Sequence, residues 1–296
     1  MAAENKRKSV AIVGGYGKMG AWFARLLKGE GFRVTVIGRD KDKLAKAAVE
    51  LGVAATDRLD KATEADVIIL SVPIDAFETI SRDLAQFVGG RHKILDLTSI
   101  KTKPVEAMHR NFPKSTVLGT HPVFGPGAAG LAGQNFILTP TNDAENEFAA
   151  EVSKWLKERG AAVRITSSEE HDRLMAISLG LAHFIAIVTA DSLVTLGELE
   201  GMAGASGITY KALLTLVESV LSEDPALYAS LQMNLPALTE IESLFSDKAD
   251  DWTRLVKEGR REEFISRMTA LKSRLESANP KFGESYQNLY RLTAGQ

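Results

Sequence analysis

"SVAIVGGYGKMGAWFARLL", Ser9–Leu27, decides the fold. Five residues, mostly β-branched and apolar, run into a glycine turn, and an amphipathic helical stretch follows at once. Gly15, Gly17 and Gly20 carry the G-x-G-x-x-G spacing. Between a strand and a helix, this spacing suits a dinucleotide. One glycine permits a tight turn, one lets backbone approach a pyrophosphate, one lets helix pack on strand, and the helix N-terminus attracts the phosphates. Gly15, Tyr16, Gly17, Lys18, Met19 and Gly20 are therefore expected to bind the cofactor.

Outward from this turn, short apolar runs alternate with longer charged amphipathic segments as far as residue 166, the mark of β-α-β units and a doubly wound parallel sheet. "SVAIVG", "RVTVIG", "DVIILSV", "KILDLT", "TVLGT", "FILTP" and "AAVRIT" read as strands, with helices starting near Tyr16, Lys41, Ala76, Lys103 and Asn142. After Thr166 strands stop, and three or four helical stretches follow, broken by "GASG", "EDP" and "ANPKFG". The fold class is α/β, with a sheet domain over 1–166 and an all-helical domain over 167–296.

A chain of 296 residues, 45% hydrophobic and 25% charged, suits two such units. A net charge of −2 offers no basic field for nucleic acid or anionic lipid, so a small-molecule partner is expected. With no cysteine there is no thiol nucleophile or thiolate metal site, and no metal is expected. The charged start lacks a secretory pattern, which reads as cytoplasmic. The apolar stretch Leu174–Ala190 reaches membrane-span length, but His183 and several Ser, Thr and Gly lie within it. It reads instead as a central helix buried in the second domain.

The end of the second strand bears on the cofactor. NAD binders carry an acidic residue there to accept from the ribose 2′-hydroxyl. Here Gly38 holds the place and Arg39, Lys41 and Lys43 follow, which favours the 2′-phosphate of NADP. A shift of one residue would instead make Asp40 the ribose acceptor. Three more segments fall at strand carboxyl ends, where such sheets bind ligands. Val72 and Pro73 of "SVPIDAF" are placed to line the cofactor, Thr98, Ser99 and Lys101 lie in "DLTSIK", and His121 lies in the Gly/Pro-bounded turn "GTHPVFGPG".

Together "GGYGKMG", "DLTSIK", "THPVFGP", "HDRLMAISLGLAHF" and "DPALYASLQMN" resemble the prephenate and arogenate dehydrogenases of tyrosine biosynthesis, over nearly the whole chain. The resemblance implies a Rossmann domain, a helical dimerisation domain forming a homodimer, and an oxidative decarboxylation, with no further domain fused. It also implies roles. His121 would take the proton of the ring hydroxyl as hydride leaves for the nicotinamide, a task suited to a neutral imidazole. Ser99 would hydrogen-bond the same hydroxyl or orient the imidazole. His183 would face the substrate, and Gln232 could point an amide at it. His171 and Asp172 would organise a helix start and the domain junction rather than react.

One departure stands out. Many family members carry a carboxylate-binding arginine shortly after "DPxLY", where this chain has Leu235, Pro236 and Ala237. Lys101, Arg173 or a basic residue of "ANPKFGESYQNLYR" could replace it. The segment after His121 holds no carboxylate for an arogenate ammonium, which tilts the reading to prephenate. Other readings are an NADP-linked oxidoreductase of the β-hydroxyacid or deazaflavin-dependent type, and a silent NADP-binding sensor.

Overall fold

The computed structural model describes residues 8–197 and 200–293. They form two compact units, Met1–Met175 with Met233–Leu235, and Ala176–Gln232 with Pro236–Gln296. The sequence placed its division at 166/167. The structure keeps the following turns of helix with the first unit because they pack on its sheet and on a neighbouring helix.

In the first unit, β1 (Ser9–Val13), α1 (Lys18–Gly29), β2 (Arg33–Ile37), α2 (Lys41–Leu51), β3 (Ala54–Thr56), β4 (Val67–Leu70), α3 (Ile74–Ala85), β5 (Lys93–Asp96), α4 (Thr102–Asn111), β6 (Thr116–Pro122), β7 (Asn135–Thr139), α5 (Asp143–Lys157), β8 (Ala162–Ile165) and α6 (Ser168–Met175) follow in order. The sheet order is β3-β2-β1-β4-β5-β6-β7-β8, with the reversal beside β1 that opens a ligand crevice at the strand carboxyl ends. All of β1 is buried, as a parallel strand covered on both faces must be. Alternate residues serve opposite faces. Val10 and Ile12 pack with Trp22, Phe23 and Leu27 of α1, while Ala11 and Val13 join the core of Phe77, Leu84 and Met108.

Three expectations about the sheet are corrected. β3 went unread, because "AAT" at the sheet edge carries neither a β-branched run nor alternation. The sheet is mostly parallel, but β6 and β7 form an antiparallel pair. His121 lies on a strand rather than in a turn, since β7 prolongs β6 through the partners His121↔Ile137 and Pro122↔Phe136.

The second unit opens with a π-helical stretch, Ala176–Leu181, followed by α7 (Ala182–Leu196), α8 (Ile208–Leu221), α9 (Pro225–Asn234, whose end lies with the first unit), α10 (Leu238–Lys257), α11 (Arg261–Ala278) and α12 (Ser285–Thr293). Six α-helices replace the expected three or four among the described residues. Two breaks were unread: Ala237 takes a left-handed φ of 58° after Pro236, and Gly259 (φ 65°) ends α10. The central helix also differs from expectation. Ser168–Leu196 is long and apolar enough to cross a membrane, yet only 22% of its most apolar window is buried. Of α7 itself, Ala186 is buried, while Val188, Val194 and Leu196 are exposed.

Candidate active site

The glycine turn follows from backbone sterics. Gly14, not one of the three motif glycines, has the left-handed φ of 80°, and a Cβ there would stand 2.1 Å from the Ser71 carbonyl oxygen. A Cβ on Gly20 would meet the Gly14 oxygen and Gly15 Cα at 2.7 Å, so the third motif glycine does let α1 close on the turn. Gly17 caps α1 without a side chain and with no acidic residue in the first turn, which keeps the helix N-terminus suited to an anion. Val72 is buried beside Gly14, and Pro73 caps α3. This cradle fits a dinucleotide.

At the end of β2, a Cβ on Gly38 would stand 2.1 Å from Tyr16 Cε1. A side chain here would force the Tyr16 ring to move. Asp40 caps α2, its carboxylate accepting from Lys43 N at 3.0 Å. Arg39 is exposed, with no partner among the described residues.

The carboxyl ends of β5 and β6 carry a buried polar network. Asp96 accepts from Thr98 and from Lys101 Nζ through Oδ2, and from Thr120 N through Oδ1 at 3.0 Å. Here two assignments are corrected. Lys101 is fully buried and committed to Asp96, so its ammonium does not reach a substrate. Thr98, also buried, spends its hydroxyl on Asp96 and the Ile100 carbonyl, which leaves none for a cofactor. Ser99 is half-buried, its hydroxyl unpartnered among the described residues. Arg173 is paired with Glu170 through two 2.8 Å bonds.

His121 is 4% exposed. Its Nδ1 lies 2.9 Å from His171 Nε2, and His171 Nδ1 lies 2.8 Å from Asp172 Oδ1. Asp172 also accepts from Lys101 N at 2.6 Å and Thr102 N at 2.9 Å, which ties α6 to the start of α4. Nε2 of His121 has no protein partner among the described residues. The loop after β6 is pinned to α1 by Trp22 Nε1 donating to the Ala128 carbonyl at 2.7 Å. A cavity of about 520 Å³ lies elsewhere, lined by Phe23, Leu27, Leu95, Phe148 and Trp155, and includes neither His121 nor the glycine turn.

Burial pushes the His121 imidazole well below its ordinary 6.5, and the neighbouring His171 and Lys101 push the same way. Burial also lowers His171, against the pull of Asp172. Unfolded, both rings take up a proton near 6.5; folded, they do so only at lower pH. The unfolded chain therefore binds more protons in that window, and stability falls as pH drops below 6.5 toward the folded values. Thermal unfolding of the first unit between pH 7.5 and 5.5 should show this loss, and His121→Gln should flatten the slope.

In the second unit, His183 stacks edge-on against Tyr228 at 4.7 Å, and Gln232 Nε2 donates to the Gly180 carbonyl at 3.0 Å. That carbonyl belongs to the π-helical stretch, whose altered bonding frees backbone groups and often marks function. His183 Nδ1 and Gln232 Oε1 are buried without a partner among the described residues, which suits polar ligand contacts. Sequence reasoning missed the Asp96 and His171–Asp172 roles. The signals available were a carboxylate at a strand end five residues before a lysine, and adjacent His and Asp on a helix.

A family profile described as "Prephenate dehydrogenase, nucleotide-binding domain" matches residues 23–165, and one described as "Prephenate dehydrogenase, dimerization domain" matches 167–270. The chain is 35% identical over 269 residues to a probable arogenate/prephenate dehydrogenase of Methanocaldococcus jannaschii, covering 90% of this chain and 60% of that one. It is 30% identical over 231 residues to the T-protein of Haemophilus influenzae, covering 76% and 56%. The chain thus spans 60% or less of the length of these relatives. In fold it is similar to Aquifex aeolicus prephenate dehydrogenase, solved with hydroxyphenyl propionate and NAD+, at a TM-score of 0.78 and 21% identity, covering 94% of this chain and all of that one.

Proposed function

The chain belongs to the prephenate dehydrogenase family, and from that premise we propose that it oxidatively decarboxylates prephenate with NADP as hydride acceptor. The carrying observation is the imidazole of His121, held at the same edge of the sheet as the glycine turn, with Nδ1 engaged by His171 and Nε2 without a protein partner among the described residues. When bound, the nicotinamide supplies an acceptor for the hydride of the ring carbinol carbon. His121 Nε2 accepts the hydroxyl proton, and Ser99 orients that hydroxyl. The carboxylate on the opposite ring carbon then leaves as carbon dioxide, its electron pair completing the aromatic ring. The phenolate oxygen regains the proton from His121. Neutral imidazole is the form this needs, and burial keeps the ring neutral at pH 7. His183 and Gln232 are assigned to substrate.

NADP is favoured by the absence of a carboxylate at the end of β2, by the commitment of Asp40 to its helix cap, and by the exposed Arg39. Arg39→Ser should raise KM for NADP by about tenfold or more, the worth of a charge-assisted hydrogen bond, and leave KM for NAD little changed. Residues 123–134 contain no acidic side chain to hold an ammonium, which supports prephenate over arogenate. The exposed apolar side chains of α7 and α8, Val188, Val194, Leu196, Leu213 and Leu216 among them, support a homodimer, which sedimentation velocity would test.

The test is direct. Purified protein is mixed with NADP or NAD and with prephenate or arogenate, following nicotinamide absorbance and the aromatic product. The highest kcat/KM is expected for NADP with prephenate. Absence of turnover with all four pairs would leave only nucleotide binding.

A further inference from the structure

We infer that His171 and Asp172 are positioning residues that fix His121 in the tautomer carrying its proton on Nδ1, leaving Nε2 as the bare acceptor. This rests on the reading of His121 as the base. The argument runs outward from Asp172, whose carboxylate sits at the start of α4 and accepts backbone N–H groups of Lys101 and Thr102. These donors and the helix N-terminus hold it ionised, so it offers only acceptors. The nitrogen facing it, His171 Nδ1 at 2.8 Å, must therefore be the donor. A neutral ring that donates from Nδ1 is bare at Nε2. That lone pair faces His121 Nδ1 at 2.9 Å, so Nδ1 donates and the bare nitrogen of His121 is Nε2.

The remaining charged groups do not disturb this order. Lys101 Nζ is turned to Asp96 and Thr98 Oγ1, and Asp96 Oδ1 is held by Thr120 N. The reversed tautomer would set two bare nitrogens, or two N–H groups, against each other in a buried contact, or put the bare His171 Nδ1 against a carboxylate. Each arrangement strands a buried polar group. His171 (0% exposed) and Asp172 (2% exposed) touch no substrate position; they act through His121.

The test uses the full-length protein labelled with ¹⁵N-histidine, at pH 7.5 without substrate, where long-range proton–nitrogen spectra assign each tautomer. His121 is expected as the neutral Nδ1–H form; a neutral Nε2–H form in the wild type overturns the inference. In Asp172→Asn and His171→Phe, His121 should become a mixture or switch to Nε2–H. In both, kcat should fall by about 100-fold, within the range of general-base catalysis, while KM and NADP affinity stay within about threefold. An unchanged tautomer, or an unchanged kcat, counts against the pair. If His171→Phe fails to fold, the wild-type spectrum and Asp172→Asn decide. An Nδ1–H spectrum in a protein without turnover would sink the dehydrogenase reading and leave the positioning intact.

Discussion

His121→Asn is expected to lower kcat by about 10³-fold, in the middle of the range for loss of a general base, while NADP affinity stays within about threefold. The two halves of this expectation come from different parts of the first unit. On the proposed reading the coenzyme is held by the turn between β1 and α1, whose glycines make room by steric necessity and do not touch His121. In the proposed reaction the proton goes to the imidazole at the end of β6, which is clamped by His171. Asparagine keeps an amide N–H that can still donate to His171 Nε2, so the clamp and the strand pairing survive and only the acceptor at Nε2 is lost. Steady-state kinetics and calorimetric titration of NADP measure the two quantities. A kcat within threefold of wild type would remove His121 from the chemistry, and a parallel collapse of NADP affinity would mean that the variant disturbed the cradle instead. Because the imidazole's pKa is pushed below 6.5, the acid limb of kcat/KM in the wild type should also lie below that pH.

How far this site could be read from the letters depends on what kind of contact each residue makes. The glycine turn was legible because steric permission depends on residue type and local spacing: Gly20 meets Gly14 and Gly15 across only a few residues. The β-α-β alternation placed seven of the eight strands. The failures are long-range. Lys101 looked like a free cation at a strand end, and only the fold shows that Asp96, on the strand before it, takes its charge out of reach. Nothing in "GTHPVFG" says that β7 returns antiparallel and draws His121 into the sheet. Asp172 was read as the organiser of a helix, and it does cap one, but the helix is α4, 70 residues away. The exposure of α7 is a further case. Its apolar composition reads as a buried helix, but within this chain Ala186 is the buried residue of α7.

The residue whose reading changed most yields the second large effect. Lys101→Met is expected to destabilise the first unit by about 3–5 kcal/mol, the typical cost of removing one partner of a buried ion pair. Both side chains of the pair are 0% exposed, so solvent screening gives no relief. Asp96 would keep its bonds from Thr98 and Thr120 N but lose the only cation recorded against it among the described residues, leaving a carboxylate charge in the core. Neutralising that charge in the double variant Lys101→Met/Asp96→Asn should recover part of the loss, since the worse defect is the unpaired charge rather than the absent bond. Urea unfolding followed by tryptophan fluorescence in a Trp252→Phe background, which leaves Trp22 and Trp155, reads the first unit, where both rings lie. The same variant tests the structural role of this lysine against the substrate role read from the sequence. As a structural cation it should leave KM for prephenate within about threefold in the folded protein, because its backbone N–H, which Asp172 needs, is untouched. As a clamp on a substrate carboxylate it would raise KM by tenfold or more. A stable Lys101→Met protein with a raised KM would return the lysine to the substrate and require the β5 end to open when ligand binds.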